Sequence, residues 1–367
     1  MIAAEIYRLS TYGMRHPLRI PRVSTVVDLS RALGWLPSER YITSPRARAV
    51  ALEAWHTPEY LAALQTAERT GQVSDAVRER HGLGTVSNPV FPEMFRRPAT
   101  AAGASILAGQ LLRDPGIVYS PASGTHHGLP DRANGFCYLN DPVFAVLSLR
   151  ASGLRRVAYI DIDAHHPDGV EYAFADDADV LMISVHEERR WPFTGKVEDR
   201  GAGEVWNLPV PRGFNDTDMR AVFDRLIAPR IASFQPEAII LQCGADAVAE
   251  DPLSRLTLSN NAHWNVVSEL SAMTDRMLVT GGGGYNPWSV GRLWTGVWAT
   301  LIGAEIPERL PPEAEAVLQG LVWHSARVRD VGAHMFTTLR DAPREGKLSE
   351  TVTERLRALE ERARAWV

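Results

Sequence analysis

Apolar positions along the chain fall into two patterns. In the first third they recur at three- and four-residue spacing, which predicts helices over 23–33, 47–55, 58–69 and 93–113 after a short first strand near 2–8. Thr57 before Pro58 has the make-up of a helix start, an oxygen-bearing cap followed by proline at the first helical position. From residue 117 on, short β-branched runs alternate with helical segments. Strands are predicted at 117–119, 157–163, 180–185, 205–210, 238–241 and 277–279. Helices over 142–151, 169–174, 217–234, 259–274 and 288–301 lie among them. Residues 304–345 read as loop-rich. A last helix over 351–366 carries Val352, Leu356, Leu359 and Ala363 as one apolar stripe, with Thr351 and Glu354 placed as a capping box.

The repeat of strand, loop and helix implies an α/β fold: a mostly parallel sheet covered by helices on both faces. No break in composition divides it, so one domain is expected. Ionisable and glycine-rich groups follow four of the predicted strands: His126-His127, the 161–165 cluster, Asp246 and the 281–285 stretch. Open α/β sheets bind ligands at the carboxyl ends of their strands, so the candidate chemistry gathers on one edge.

The densest of these stretches is 157–170, where an apolar run passes straight into Asp161, Asp163, His165 and Asp168. If the extended conformation persists, Asp161, Asp163 and His165 share one face. Buried polar groups must be paired, protonated or bound to a cation. Carboxylate and imidazole without thiolate suit zinc, iron or manganese. The alternative is a charged strand-to-helix turn, but a turn needs one or two such residues. Asp246, at another strand end, is the natural third ligand beside Asp163 and His165, leaving a position open for water as in catalytic sites. His126 and His127 suit a general base and a proton shuttle, with Asp161 and Asp168 available to fix their tautomers. The run Gly281-Gly-Gly-Gly-Tyr285 lacks the pattern of a phosphate loop. It would instead bring the Tyr285 hydroxyl over the metal as an oxyanion donor. Gly135, Phe136 and Trp191 offer walls for a narrow channel, or are ordinary core residues.

Composition narrows the partners. The chain has 367 residues, 45% of them apolar and 23% charged, with a net charge of −5. That gives no signal for nucleic acid. Lys196 and Lys347 are the only lysines, which disfavours Schiff-base chemistry. No signal peptide and no membrane-length apolar run is evident. Two cysteines, Cys137 and Cys243, make no disulfide framework, so a reduced, cytoplasmic setting is expected. The apolar stripe of the last helix is expected to pack on the domain, with a second subunit of a homo-oligomer as the alternative.

Taken together, these motifs resemble the histone deacetylase superfamily, in particular its bacterial acetoin-utilisation-type members. The matching stretches are Arg15-His-Pro-Leu-Arg with Arg22, Gly82-Leu-Gly-Thr, Gly124-Thr-His-His, Gly135-Phe-Cys-Tyr-Leu-Asn-Asp, Asp161-Ile-Asp-Ala-His-His-Pro-Asp-Gly-Val, Gly244-Ala-Asp and Gly281-Gly-Gly-Gly-Tyr-Asn. The resemblance, over about 10–303, implies the single-domain arginase/deacetylase fold with an eight-stranded parallel sheet. It also implies metal-dependent hydrolysis of an amide such as N-acetyl-lysine, with acetylpolyamines and small-molecule amides as alternative substrates. Asp163, His165 and Asp246 are then the zinc ligands, with Fe2+ as an alternative ion. His127 is the main base, His126 its tandem partner, Asp161 and Asp168 their supports, and Tyr285 the oxyanion donor. K+ is expected near Asp161, Asp163, His165 and Ser184. Gly135 and Phe136 line the tunnel. Two departures concern the substrate: Trp191, with Phe193 nearby, stands at the aromatic wall, and Ser87 falls where the family has a rim aspartate. An arginase-like ureohydrolase is disfavoured, because Pro167 replaces the aspartate a second metal would need.

Overall fold

The computed structural model describes residues 1–13, 16–202, 204–323 and 331–365. Among them are eight strands: β1 (Ile2–Ala3), β2 (Ile42–Thr43), β3 (Gly116–Ser120), β4 (Val157–Asp161), β5 (Val180–Glu187), β6 (Val205–Val210), β7 (Ala238–Gln242) and β8 (Arg276–Thr280). They do not form one sheet. Six make the central sheet in the order β3-β8-β7-β4-β5-β6, every pair parallel, and β1 pairs with β2 alone. The expected single eight-stranded sheet is therefore six strands plus a separate pair. The pair is two residues long because Ile6–Leu9 turns helical immediately after β1, where a strand over 2–8 is predicted.

A parallel sheet needs both faces covered, and successive residues of each strand feed opposite cores. Ala158 and Ile160 of β4 join Leu181, Ile183 and Val185 of β5 in one core. Val157 and Tyr159 join Val180 and Met182 in the other. This two-sided burial is why β4 reads as an unbroken apolar run. Helices Asp141–Ala151, Asp168–Phe174 and Asn260–Ser271 connect successive strands.

Most predicted helices are present with ends shifted by a few residues. Pro58–Thr70 starts where expected, with the Thr57 hydroxyl accepting from the Tyr60 N–H, and stops at Gly71 in the left-handed region. The helix over 47–55 shrinks to Ala49–Leu52, and Asp75–His81, capped by Ser74, is an addition. The loop-rich region holds Pro312–Gln319 and His334–Thr337, with 324–330 outside the described residues. The last helix, Glu350–Arg364, is capped by Ser349 rather than by Thr351. Asp218 accepts from the Ser349 N–H at 2.8 Å, which ties the helix start to the domain two residues earlier. Its stripe packs on the domain: Val352, Leu356 and Leu359 are buried in the first core. No helix among the described residues is long and apolar enough to cross a membrane.

Candidate metal and active site

β3, β8, β7 and β4 are consecutive neighbours in the sheet, so the loops leaving their carboxyl ends meet at one place. The β3 loop brings His126 and His127, the β8 loop Gly281 to Tyr285, the β7 end Asp246, and the β4 loop Asp163 and His165. Asp163, His165 and Asp246 are all buried, and each offers a ligand atom within 4.8 Å of the others. β4 ends at Asp161, so Asp163 and His165 lie in the loop beyond it and not along one strand face. Two successive side-chain turns bring them round. Asp161 Oδ1 accepts from the Asp163 N–H at 2.9 Å, and Asp163 Oδ1 accepts from the His165 N–H at 2.9 Å.

The donor set fits a divalent cation. His165 Nδ1 lies 2.9 Å from Asp246 Oδ2 and 3.2 Å from Asp163 Oδ1. No lysine or arginine pairs with either carboxylate among the described residues. Burial would lower the pKa of His165, but Asp246 and Asp163 outweigh it and raise it to about 10. Burial and the neighbouring Asp163 push Asp246 up. Two buried carboxylates gathered round one imidazole mark a place that favours positive charge. The glycine run serves this place. The Gly283 N–H donates to Asp163 Oδ2 at 2.7 Å, and a Cβ on Gly283 would overlap the Asp246 carboxylate.

The tandem histidines lie 4.0 Å apart between centroids with their rings tilted by 58°, and their surroundings push their pKa values in opposite directions. His126 Nδ1 is 2.8 Å from Asp161 Oδ2, so Asp161 supports a histidine and lies outside the metal trio. Burial opposes the His126 cation, but Asp161 and Asp163 raise its pKa to about 9. His127 Nδ1 is 2.6 Å from Asp168 Oδ1. Burial and the His126 charge lower the His127 pKa to about 4, against the pull of Asp168. Tyr285 is buried, and burial, then Asp246 and Asp163, raise its pKa well above the usual phenol value, so it keeps its proton. Ser184 lies opposite Asp161 in the β4–β5 register, and its hydroxyl is 2.8 Å from His186 Nδ1.

Above this floor opens a cavity of about 600 Å³, reached by His127, His165 and Tyr285 from below. Gly135 and Phe136 form one wall and Trp191 the other. Trp191 packs across His127 at 4.6 Å, and a Cβ on Gly135 would overlap the Trp191 ring. Phe193 also lines the cavity but is 70% exposed, so Trp191 is the inner aromatic. Ser87 is on the rim. Of the four non-glycine residues with left-handed φ among the described residues, Phe136, Arg189 and Phe193 line this cavity. Strain of this kind concentrates at functional sites. Behind the trio is a smaller cavity of about 40 Å³ lined by Arg22, His126 and Gly282. Arg22 donates to the Gly282 carbonyl at 2.7 Å, and its buried Nε has no hydrogen-bond partner among the described residues.

Sequence reasoning passed over the groups that hold this arrangement. Asp141 accepts from the N–H groups of Gly124 at 2.9 Å and Thr125 at 2.8 Å, fixing the loop that carries the histidines. An aspartate at the start of an apolar helix reads as a cap, which hid that role. Asp251 accepts from the Tyr285 N–H at 2.7 Å, and burial beside Asp246 raises its pKa to about 8. No local pattern announces that contact.

Residues 16–301 match the family model described as the histone deacetylase domain. The chain belongs to the histone deacetylase family. As a family member it is a hydrolytic deacetylase of the acetoin-utilisation type. It is 30% identical over 326 residues to the acetoin utilization protein AcuC of Bacillus subtilis, covering 85% of this chain and 84% of that one. A crystal structure of an HDAC homolog from Aquifex aeolicus superposes with a TM-score of 0.93 at 34% identity, covering 98% of both chains. An HDAC homolog complexed with SAHA gives the same TM-score at 33% identity and the same coverage. This likeness extends the family fold well past the matched residues, to 98% of the chain.

Proposed function

We propose that the protein is a zinc-dependent hydrolase that removes an acetyl or other short acyl group from an acylated lysine or a related amine. The observation that carries this reading is the meeting of Asp163, His165 and Asp246 with His127 and Tyr285 at the floor of one open cavity. That a structural relative at 33% identity forms a complex with SAHA supports the binding of an acylated-amine ligand by this fold.

Asp163, His165 and Asp246 would hold the ion. When bound, zinc supplies a Lewis acid that polarises a carbonyl and acidifies water. Neutral His127, with its Nδ1–H given to Asp168, keeps Nε2 free to take a proton from water and return it to the leaving amine. Burial, and after it the charge of protonated His126, keep His127 neutral. Tyr285 donates its O–H to the oxygen that gains charge as the carbonyl is attacked. The acid product carries a negative charge, and the Arg22 cation behind the trio is its natural counter-charge. Gly135, Phe136 and Trp191 confine the acylated arm. Ser87, a hydroxyl where a peptide-binding carboxylate would stand, favours small acylated amines beside peptides.

Several finer assignments belong to the same proposal. Fe2+ is an alternative occupant of the trio, and K+ is assigned to the ground between Asp161, Asp163, His165 and Ser184. The unpaired, buried thiols of Cys137 and Cys243 fit a cytoplasmic protein. A net charge of −5 fits a substrate other than nucleic acid.

The test is metal content with activity. His165→Ala and Asp246→Ala, dialysed and analysed by plasma emission, should lose bound metal and turnover of an acetyl-lysine substrate together. A stoichiometric metal retained in either variant would sink the assignment.

A further inference from the structure

The cavity is electrostatically one-sided. Arg132, Arg189 and Arg190 line it, and among the described residues no aspartate or glutamate does. Arg190 is neutralised by Glu187, whose carboxylate also accepts from the Arg255 N–H at 2.8 Å. The other two arginines have no carboxylate partner among the described residues. Arg132 donates to the carbonyls of Glu79 and Arg80 at 2.9 and 3.1 Å, which positions its guanidinium without cancelling the charge. Arg189 is exposed and holds a left-handed φ of 56° beside Trp191. The pair comes from opposite walls. Arg132 belongs to the loop of Gly135, Arg189 to the loop of Trp191, and Gly135 faces the Trp191 ring. A chain with net charge −5 thus presents two uncompensated cations at its mouth.

Planar guanidinium forks match the oxygens of carboxylates and phosphates. The floor takes the acyl group and the scissile amide, so only the amine's carrier reaches the exposed rim. We propose that the substrate carries an oxyanion, carboxylate or phosphate, on the amine side of the amide, held between Arg132 and Arg189. This rests on the deacylase reading above and names the substrate class for it. Polyamines and acyl-lysines flanked by basic residues, which bring positive charge to the same rim, are then poor substrates.

The experiment uses the metal-loaded full chain and four peptides, each with one acetyl-lysine flanked by Glu, phosphoserine, Gln or Arg. It measures kcat/KM at low and high salt, and binding of the same peptides to Tyr285→Phe by calorimetry. The better oxyanion flank should exceed Gln by about tenfold, two exposed charge pairs acting together. The gap should narrow as salt screens the rim. The double variant Arg132→Gln, Arg189→Gln should bring the ratio between the Glu and Gln peptides toward one, and Arg189→Glu should move the preference toward the Arg peptide. Free Nε-acetyl-lysine preferred over its α-amide by the same factor would support a small acylated acid as the source of the charge. A preference confined to peptides would support an acidic segment. Equal kcat/KM and equal affinity across all flanks, or a preference that survives the double variant, overturns the inference. If no peptide is turned over but calorimetry still ranks the oxyanion first, the deacylase reading fails and the charge preference stands.

Discussion

One carboxylate oxygen of Asp168 lies 2.6 Å from Nδ1 of His127, and the other accepts from the Asn134 amide at 3.0 Å. This contact decides which nitrogen of His127 carries the proton and leaves Nε2 as the acceptor facing the cavity. Asp168 also pulls the His127 pKa upward against burial and the His126 charge. Asp168→Asn should therefore do two things. The rate should fall by roughly 10²–10⁴, the usual worth of an oriented acid–base group. The acid limb of kcat/KM should move to lower pH, because the group that raises the His127 pKa has lost its charge. Metal content should be unchanged. A limb that moves upward would show that another group sets it.

Tyr285→Phe tests the hydroxyl without touching the ligands. The ring still packs against Phe136 at a centroid distance of 5.8 Å, and the backbone N–H still reaches Asp251. One oxyanion donor is worth about 2.7–4 kcal/mol, so kcat should drop by roughly 10²–10³ while metal content and melting temperature hold. A loss below about fivefold would place the donor elsewhere.

The positions of the chemistry were more legible than the geometry that binds them. Asp163, His165 and Asp246 stand out in the sequence because strand-end carboxylates beside an imidazole are expensive to bury without a cation. Their route into contact was less visible. The side-chain turns at Asp161 and Asp163 replace the extended strand that periodicity suggests, because a carboxylate that can bond the second N–H ahead competes with the ladder. The sheet's division into six strands and two was also hidden, since a two-residue strand has no period to detect. The arginines of the mouth were invisible as a group. Arg132 and Arg189 are 57 positions apart, and only the facing of Gly135 and Trp191 brings their loops together.

His56 is expected to make stability sensitive to acid. It is buried, and its Nε2 accepts from the Asn140 N–H at 3.1 Å while Nδ1 faces the Pro130 carbonyl at 3.2 Å. Asn140 in turn donates to the carbonyls of His126 and Gly128. A second ring proton would turn the Nε2 acceptor into a donor aimed at an N–H. Burial accordingly lowers the His56 pKa to about 4 in the folded chain. The unfolded chain titrates near the ordinary value of about 6.5 and takes up its proton first as pH falls. The contribution is therefore present above that value and lost on the way down to the folded pKa, by up to about 3 kcal/mol. Melting temperature should fall between about pH 7 and about pH 4, and less steeply in His56→Gln. Equal slopes in the two proteins would remove His56 from the account.

The last helix has a route to the mouth. Arg355 donates to Glu188 Oε2 at 2.6 Å and to the Pro209 carbonyl at 2.6 Å. Glu188 immediately precedes Arg189 to Trp191, the wall that faces Gly135. Farther along, Arg362 lies over the Trp206 ring at 3.8 Å, opposite Arg230 at 4.1 Å, so the helix itself is held independently of Arg355. Arg355→Ala should then leave the helix docked and release only the wall. A half-buried ion pair is worth about 1 kcal/mol, which for a chain of this size lowers the melting temperature by only a few degrees. The larger effect should be on KM, raised several-fold as the Trp191 wall loses its anchor, with kcat falling less because His127 keeps its bond to Asp168. Glu188→Ala should reproduce the KM change, and the double variant should add little to either single one, since both remove the same contact. A lowered melting temperature with KM unchanged in both variants would mean that the wall stands without the helix.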